Sequence, residues 1–313
     1  MSDAVEAGED IAALRESVAG LWRRHEDGEV DSGDEDALDL LNRFLDALEA
    51  GTVRAAEPAT SYGESELETE NESETQIETG TGRASAREWV ANEWVKHGVL
   101  LNFALRPTRG HEYGGVTYHD VLGVRGDDGR PLGHGARNTP DGTVVRRGAS
   151  IGDDAIMMSP SFVNIGASVG DGALVDSCVT VGSCAQVGDG VKIGANTLVG
   201  GVLEPVEDAP VVLESGSSLG AGCRVTSGFV VGRNSVVAEN TLLTPRVPVY
   251  DLITEEVLYG HLPPERRAFT RYVESSLGDH DLLEGGAYKP AVVALDVEAD
   301  TREAVEREEV LRS

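Results

Sequence analysis

Hydrophobic residues recur every six positions along the central part of the chain. From Val145 onward, the first residue of ten consecutive hexapeptides is aliphatic or methionine, and the fifth is nearly always small. The first residues are Val145, Ile151, Met157, Val163, Val169, Val175, Val181, Val187, Ile193 and Val199. The period resumes after a break, at Leu213, Leu219, Val225, Val231, Val237 and Leu243. A fixed period over this length indicates a solenoid, and a period of six is typical of a β-helix.

Each hexapeptide predicts one short strand followed by a corner. The aliphatic residue points inward, the small fifth residue fits the interior beside the turn, and glycine is frequent at the second position. We expect those glycines to relieve backbone strain at the turn. Three strands close one coil of about 18 residues, and stacked coils satisfy one another's backbone hydrogen bonds. The predicted fold is therefore mainly β, a left-handed parallel β-helix prism.

The segments around the repeat have other patterns. Residues 1–56 form an expected helical domain, because 11–25 and 36–49 each place their aliphatic residues on one helical face. Residues 57–86 predict a disordered acidic linker, with eight glutamates and no basic residue between Glu57 and Gly82. Residues 87–144 indicate a short helix followed by strands. The β-helix is assigned to 145–248, with a loop at 203–212, and 249–313 are expected to add strands and a helix.

The chain is strongly acidic. It contains 55 Asp and Glu residues against 26 Lys and Arg, and its net charge is −29. Only Lys96, Lys192 and Lys289 are lysines. Such a charge repels nucleic acid, so no nucleic-acid partner is expected. Because molar salt shortens the Debye length to about 3 Å, the charge indicates a cytoplasmic protein of a salt-accumulating organism. A stability that does not rise between low and molar KCl would contradict this hypothesis.

Several kinds of protein are excluded by the sequence. No apolar run approaches the length of a membrane span, and the acidic N-terminus lacks the features of a secretory signal. Cys178, Cys184 and Cys223 lie in apolar repeats and are expected to be reduced thiols. No histidine falls within 145–243, which removes zinc-dependent and histidine-base chemistry from these coils. No cluster of residues has metal-ligand spacing, so no metal is expected.

Asp176 is the best-placed ionisable residue of the coils. It is the second residue of the hexapeptide 175–180, a position where glycine is otherwise frequent. By position alone it is either a functional carboxylate or an exposed turn aspartate.

Three strings in the repeat are more specific: SPSFVNIG at 159–166, LVDSCVTVGSCAQVG at 174–188 and VGGVLEP at 199–205. They resemble the tetrahydrodipicolinate N-succinyltransferases of the diaminopimelate route to lysine. WVKHGVLLNF at 94–103, the segment 249–263 and AVVALDVEADTR at 291–302 are similar to the same family. The resemblance covers the chain apart from the acidic linker and some loops.

The resemblance implies transfer of the succinyl group of succinyl-CoA to the nitrogen of tetrahydrodipicolinate. It implies a homotrimer with sites between neighbouring prisms, succinyl-CoA as cosubstrate and no bound cofactor. Asp176 matches the family's catalytic aspartate and would act as the base. The implied substrate-binding residues are Arg137 (if one residue is inserted here), the nearby Arg146, and Asn164 and Ser183, which also fit purely structural roles. The implied CoA-binding residues are Gly200, Gly201 and Ala221 along the pantetheine arm and Arg266, Arg267 and Lys289 at the phosphates.

One position departs from the family pattern. Some members carry a glutamate in a GARSE-like string, whereas this chain has GAGCR at 220–224, with Arg224 in the glutamate's place. Arg224 is predicted to bind a carboxylate of the acceptor or of the succinyl group. Unchanged Michaelis constants for both substrates in Arg224→Ala would contradict that role. Two other readings stay open: an acetyl-CoA-dependent transferase for the same or a related amino-dicarboxylate, and a non-catalytic β-helix scaffold.

Overall fold

A computed structural model describes residues 2–59, 89–113, 115–126, 132–139, 142–203, 207–275 and 286–298. These residues form three helices, α1 (Ser2–Glu26), α2 (Glu35–Glu49) and α3 (Glu93–Leu105). Most of the linker predicted at 57–86, and the C-terminal helix expected before residue 313, lie outside the described residues. Within the described part of the chain, no helix combines the length and the apolar character that crossing a bilayer requires.

The same residues form 26 strands, most of them only two residues long. They are β1 Ala56–Pro58, β2 Trp89–Ala91, β3 Arg109–Tyr113, β4 Val116–Asp120, β5 Arg137–Asn138, β6 Val144–Val145, β7 Ser150–Ile151, β8 Ile156–Met157, β9 Phe162–Val163, β10 Ser168–Val169, β11 Leu174–Val175, β12 Thr180–Val181, β13 Gln186–Val187, β14 Lys192–Ile193, β15 Leu198–Val199, β16 Val212–Leu213, β17 Ser218–Leu219, β18 Arg224–Val225, β19 Val230–Val231, β20 Val236–Val237, β21 Leu242–Leu243, β22 Val249–Asp251, β23 Glu256–Leu258, β24 His261–Leu262, β25 Arg266–Ser275 and β26 Ala287–Asp296.

Three parallel sheets form the faces of a prism. Face 1 contains β7, β10, β13, β16, β19 and β24, and face 3 contains β6, β9, β12, β15, β18 and β21. Face 2 contains β5, β8, β11, β14, β17, β20 and β25 and continues into β26, β22 and β23. The second residue of each two-residue prism strand from β6 to β21 is buried in one continuous core. The predicted left-handed parallel β-helix is confirmed.

The second-position glycines serve a different purpose from the one expected. Gly170 has no positive φ, but a Cβ on it would lie 2.6 Å from the amide nitrogen of Asp189 in the next coil. The left-handed backbone occurs two residues later, as at Gly172 with φ 61° and Cys178 with φ 61°. Close stacking of successive coils, rather than the turn itself, therefore excludes side chains at positions such as Gly170.

Two single methyl groups should separate these effects. Gly170→Ala is expected to lower the free energy of unfolding by about 3 kcal/mol, because the next coil must shift. Gly172→Ala should cost only about 1 kcal/mol, because its Cβ meets open space and only the left-handed backbone is strained. Denaturant unfolding at one fixed salt concentration measures both variants. Equal losses in the two variants would contradict the stacking explanation.

The prism is longer than the 145–248 assigned from the repeat. It begins at Arg137, which pairs with Ile156 of β8, and its parallel pairing continues to Ala268 of β25, opposite Val237. This extension includes a histidine, His261 of β24, which is buried. Burial lowers the pKa of His261. Long strands β25 and β26 then form an antiparallel hairpin that extends face 2.

The predicted N-terminal helices are present, and α3 completes their unit. Residues of all three helices form a second hydrophobic core, and β1 pairs with β2 across the linker. The ring of Trp22 in α1 stacks on His97 in α3 with centroids 4.2 Å apart, and burial lowers the pKa of His97. The helical unit contacts the loop between β15 and β16, where Lys96 Nζ donates to the carbonyl of Glu207 at 3.0 Å. Of that loop, residues 204–206, which include Pro205, lie outside the described residues.

Candidate active site

Face 2 carries an outer groove of about 380 Å³ that crosses β11, β14, β17, β20 and β25. Its charged lining residues are Asp176, Lys192, Glu239 and Arg267. The groove therefore spans four strand spacings along the prism, and each spacing between neighbouring parallel strands is about 4.8 Å. It combines two carboxylates with two cations in an otherwise acidic protein.

Asp176 is held from three directions at the end of β11. Its backbone N–H donates to the carbonyl of Ile193 at 3.0 Å, and its carbonyl accepts from Ser161 Oγ at 2.8 Å. Its Oδ1 accepts from the backbone N–H of Ser177 at 2.6 Å, and the side chain is half-buried. Among the described residues, none donates a hydrogen bond to Oδ2. Asp176 thus has a fixed position, with one carboxylate oxygen left to accept a substrate proton.

Arg137, Lys192 and Arg267 lie on one outward ladder of face 2. Arg137 pairs with Ile156, which pairs with Leu174, and Leu174 pairs with Lys192. The ladder continues through Ser218 and Val236 to Arg267. The fold therefore brings Arg137 to the same face as Asp176. Lys192 was not identified as a site residue from the sequence.

Arg146 lies at a different edge of the prism, after β6 on face 3. Its guanidinium forms an ion pair with Asp120, donates to Asn164 Oδ1 at 3.2 Å and lies 5.3 Å from the ring centre of Phe103. Asn164 Oδ1 also accepts from the N–H of Ile165 at 2.9 Å. The contacts of Arg146 join α3 and β4 to the prism, Asn164 supports Arg146 there, and neither residue lies in the groove of Asp176.

Ser183, Gly200 and Gly201 meet at the same edge between faces 3 and 1. Ser183 is buried, and its Oγ accepts from the N–H of Val202 at 3.2 Å. A Cβ on Gly201 would lie 2.6 Å from the amide nitrogen of Ser183, whereas a Cβ on Gly200 would first meet Thr226 at 3.2 Å. Ser183 therefore orders the start of the loop, and the paired glycines keep this edge narrow.

Arg224 and Ala221 lie near the edge between faces 2 and 3. Arg224 is exposed on β18 of face 3, where its Nη1 donates to the carbonyl of Gly222 at 3.0 Å. Ala221 is exposed in the preceding corner. Within one chain, Arg224 and Asp176 are thus on different faces of the prism.

The structure gives the three C-terminal cations of the predicted CoA site different surroundings. Arg266 Nε donates to both carboxylate oxygens of Asp251 at 3.1 Å, and Asp251 is 0% exposed. The guanidinium of Arg266, which was expected to meet a phosphate of CoA, is therefore held in an internal ion pair. Lys289 is exposed on β26 opposite Val273. Arg267, the neighbour of Arg266, is the arginine that faces the groove, and its Nη1 lies 3.7 Å from Glu298 Oε2.

The cysteines of the prism do not suit nucleophilic chemistry. Burial raises the pKa of Cys184 to about 12 and that of Cys223 to about 11. Cys178 is exposed, and all three are free thiols. No group of three or more His, Cys, Asp or Glu side chains in the described ranges is arranged to hold a metal ion.

The fold is a left-handed parallel β-helix with a charged outer groove, and the relatives named below show that the protein is an acyltransferase. A family model described as Tetrahydrodipicolinate N-succinyltransferase N-terminal matches residues 13–105. The 2,3,4,5-tetrahydropyridine-2,6-dicarboxylate N-succinyltransferase of Dechloromonas aromatica is 31% identical over 96% of this chain and 98% of its own length. The enzyme of that name from Chromobacterium violaceum is 40% identical over 72% of this chain and 81% of its own. The chain belongs to the tetrahydrodipicolinate N-succinyltransferase family, as the sequence strings predicted.

Proposed function

We propose that this protein transfers the succinyl group of succinyl-CoA to the nitrogen of tetrahydrodipicolinate. With one water, the products are N-succinyl-2-amino-6-ketopimelate and CoA, in the diaminopimelate route to lysine. The observation that carries the proposal is similarity to enzymes of that name over nearly the whole chain, with Asp176 of the VDSC string fixed in a groove.

Asp176 is the base in this proposal. Hydration of the cyclic imine gives an amine whose nitrogen attacks the thioester carbonyl, while the oxygen of Asp176 that accepts no hydrogen bond takes the amine proton. Collapse of the tetrahedral adduct breaks the carbon–sulfur bond, and the CoA thiolate leaves and takes up a proton. No step of this sequence requires a bound cofactor, and full activity after exhaustive dialysis against a chelator is the expected result.

The substrates are anionic, and the cations of face 2 offset the repulsion of a chain with a net charge of −29. Arg137 is exposed at one end of the face and suits a substrate carboxylate, which arginine grips with two parallel hydrogen bonds. Arg267 lies at the other end of the groove and suits a phosphate of CoA.

The reaction is tested by measuring CoA release from succinyl-CoA with enzymatically made tetrahydrodipicolinate in about 2 M KCl. Thiol release that depends on the acceptor, with a product carrying a succinyl group by mass spectrometry, is the expected result. Transfer of an acetyl group at a comparable rate would favour the acetyl-CoA-dependent reading. No release with either donor would favour the scaffold reading.

We propose further that the working enzyme is a homotrimer with composite sites. The predicted residues fall at separate edges: Asp176 near faces 2 and 3, and Ser183 with Gly200 near faces 3 and 1. Packing the groove of one prism against the glycine edge of the next would unite them, and a cyclic trimer supplies three equal contacts of this kind. Sedimentation at working salt concentration should give a species three times the mass of the 33.1 kDa chain.

Complementation between inactive variants tests the composite site. Asp176→Asn and Gly200→Val are each expected to inactivate the homotrimer. If neighbouring chains share each site, co-refolding equal amounts should restore roughly one quarter of wild-type activity, because a quarter of the sites receive both intact halves. A mixture as inactive as its components would contradict sharing between chains.

We also propose a cytoplasmic location. The support is the three free thiols of Cys178, Cys184 and Cys223, which suit a reducing compartment. Fractionation of the source cells, with activity recovered outside the soluble fraction, would contradict it.

A further inference from the structure

Charge is almost excluded from the outward positions of the sixteen consecutive prism strands β6 to β21. Each of the sixteen strands from β6 to β21 presents its first residue outward and buries its second. Among these sixteen outward residues, only Lys192 and Arg224 are charged, although the chain carries 55 acidic residues. The acidic residues of the coils, such as Asp171 and Asp189, lie at corners instead. A cation on one of these sixteen strands is therefore a local exception.

Lys192 occupies this exceptional position beside the base. It pairs with Leu174, two residues before Asp176, so Lys192 and Asp176 belong to neighbouring coils, whose strands are about 4.8 Å apart, and are offset by two residues along the chain. Lys192 is only 8% exposed and lines the same groove as Asp176. The other two lysines lie away from the groove: Lys96 of α3 donates to a loop carbonyl, and Lys289 is exposed on the β25–β26 hairpin.

The substrates of the proposed reaction explain a cation at this place. The acceptor carries a carboxylate on each carbon that flanks its reacting nitrogen, and the succinyl group carries one beyond the thioester. A carboxylate that leaves water for a groove needs a charged partner, and an ammonium accepts it from several directions because it is a compact point charge. An acetyl group has no carboxylate and therefore needs no charged partner.

We propose that Lys192 binds a substrate carboxylate beside Asp176 and thereby determines which substrates the groove accepts. The inference rests on the proposed succinyl transfer. The carboxylate belongs either to the succinyl donor or to the acceptor. Acetyl-CoA, a donor without a carboxylate, distinguishes the two. Lys192 is a binding residue in this scheme, whereas the proton is taken by Asp176.

The test compares Lys192→Met, which removes the charge and keeps the length, with Lys192→Arg and with Arg24→Met, a charge loss on exposed α1. Michaelis constants for acceptor, succinyl-CoA and acetyl-CoA are measured at one salt concentration, with donor binding measured by calorimetry. Lys192→Met should raise one Michaelis constant about 10- to 100-fold, the worth of a charged hydrogen bond, with a smaller change in kcat. Lys192→Arg should recover part of the loss, and Arg24→Met should match wild type.

The Michaelis constants that change in Lys192→Met show whether the bound carboxylate belongs to the donor or to the acceptor. Loss of the preference for succinyl-CoA over acetyl-CoA assigns Lys192 to the donor, and an equal rise in the acceptor's Michaelis constant with either donor assigns it to the acceptor. Unchanged Michaelis constants, or a loss confined to kcat, would overturn the inference while leaving wild-type succinyl transfer intact. A wild-type chain that binds succinyl-CoA without transfer refutes the proposed function, and calorimetry of Lys192→Met then still decides whether Lys192 holds the succinyl carboxylate. A wild-type chain that binds neither donor overturns both.

Discussion

Replacing Asp176 by asparagine is expected to lower kcat at least 100-fold while leaving the Michaelis constant for succinyl-CoA close to that of wild type. General-base catalysis by a positioned carboxylate contributes factors of about 10² to 10⁴, and asparagine cannot accept the amine proton. The substitution preserves the local fold, because the amide oxygen of asparagine still accepts the hydrogen bond from the N–H of Ser177. CoA release under saturating substrates, with the unfolding free energy as a second readout, measures the effect.

Asp189 provides a matched control for this substitution. It lies in a corner of the same prism, and its Oδ1 accepts a hydrogen bond from the N–H of Asp171 at 3.0 Å, much as Asp176 accepts from Ser177. Asp189 is exposed and does not line the groove. Asp189→Asn should therefore keep wild-type activity. An Asp176→Asn enzyme within tenfold of wild type, or an equal loss at Asp189, would move the base to another residue.

The prism was predictable because its physics is local and repeated. An inward aliphatic residue every six positions is needed to fill each coil, and positions such as Val175 and Ile193 are buried as the period requires. The expectation that the second-position glycines relieve strain at the turn was wrong, because the constraint on Gly170 comes from the next coil, 18 residues away. A constraint between coils leaves no signal inside one hexapeptide. The extension of the prism to Ala268 was missed for a similar reason, since β24 and β25 join it without the repeat.

The site was predictable only in part. Asp176 and Arg137 stand on one face, which their motif positions indicated. Arg146, in contrast, is paired with Asp120, an ion pair between separate elements that no spacing along the chain reveals. Lys192 was overlooked because an isolated lysine in a strand usually belongs to a solvated surface. The significance of Lys192 depends on the near absence of charge from the other outward positions of β6 to β21, which becomes visible only when the coils are aligned.

Removing the carboxylate charge of Asp251 should destabilise the prism by about 3–5 kcal/mol, the usual consequence of leaving one partner of a buried ion pair uncompensated. Asp251 is fully buried and receives both bonds of Arg266 Nε, whose side chain is 12% exposed. Asp251→Asn is the sharpest variant, because its amide oxygen can still accept from the N–H of Ile253. Denaturant unfolding at fixed molar KCl measures the loss.

The neighbouring arginines then separate structure from binding. Arg266→Met is expected to lower the free energy of unfolding, since it leaves Asp251 buried without its cation, and to leave the Michaelis constant for succinyl-CoA unchanged in the folded enzyme. Arg267→Met should leave the free energy of unfolding unchanged and raise the Michaelis constant for succinyl-CoA, because Arg267 lines the groove and its side chain is 42% exposed. The double variant Asp251→Asn, Arg266→Met should lose less free energy of unfolding than the two single variants lose together, because it leaves no unpaired charge. An Arg266→Met enzyme with normal stability and weakened succinyl-CoA binding would instead return Arg266 to the CoA site that the sequence predicted.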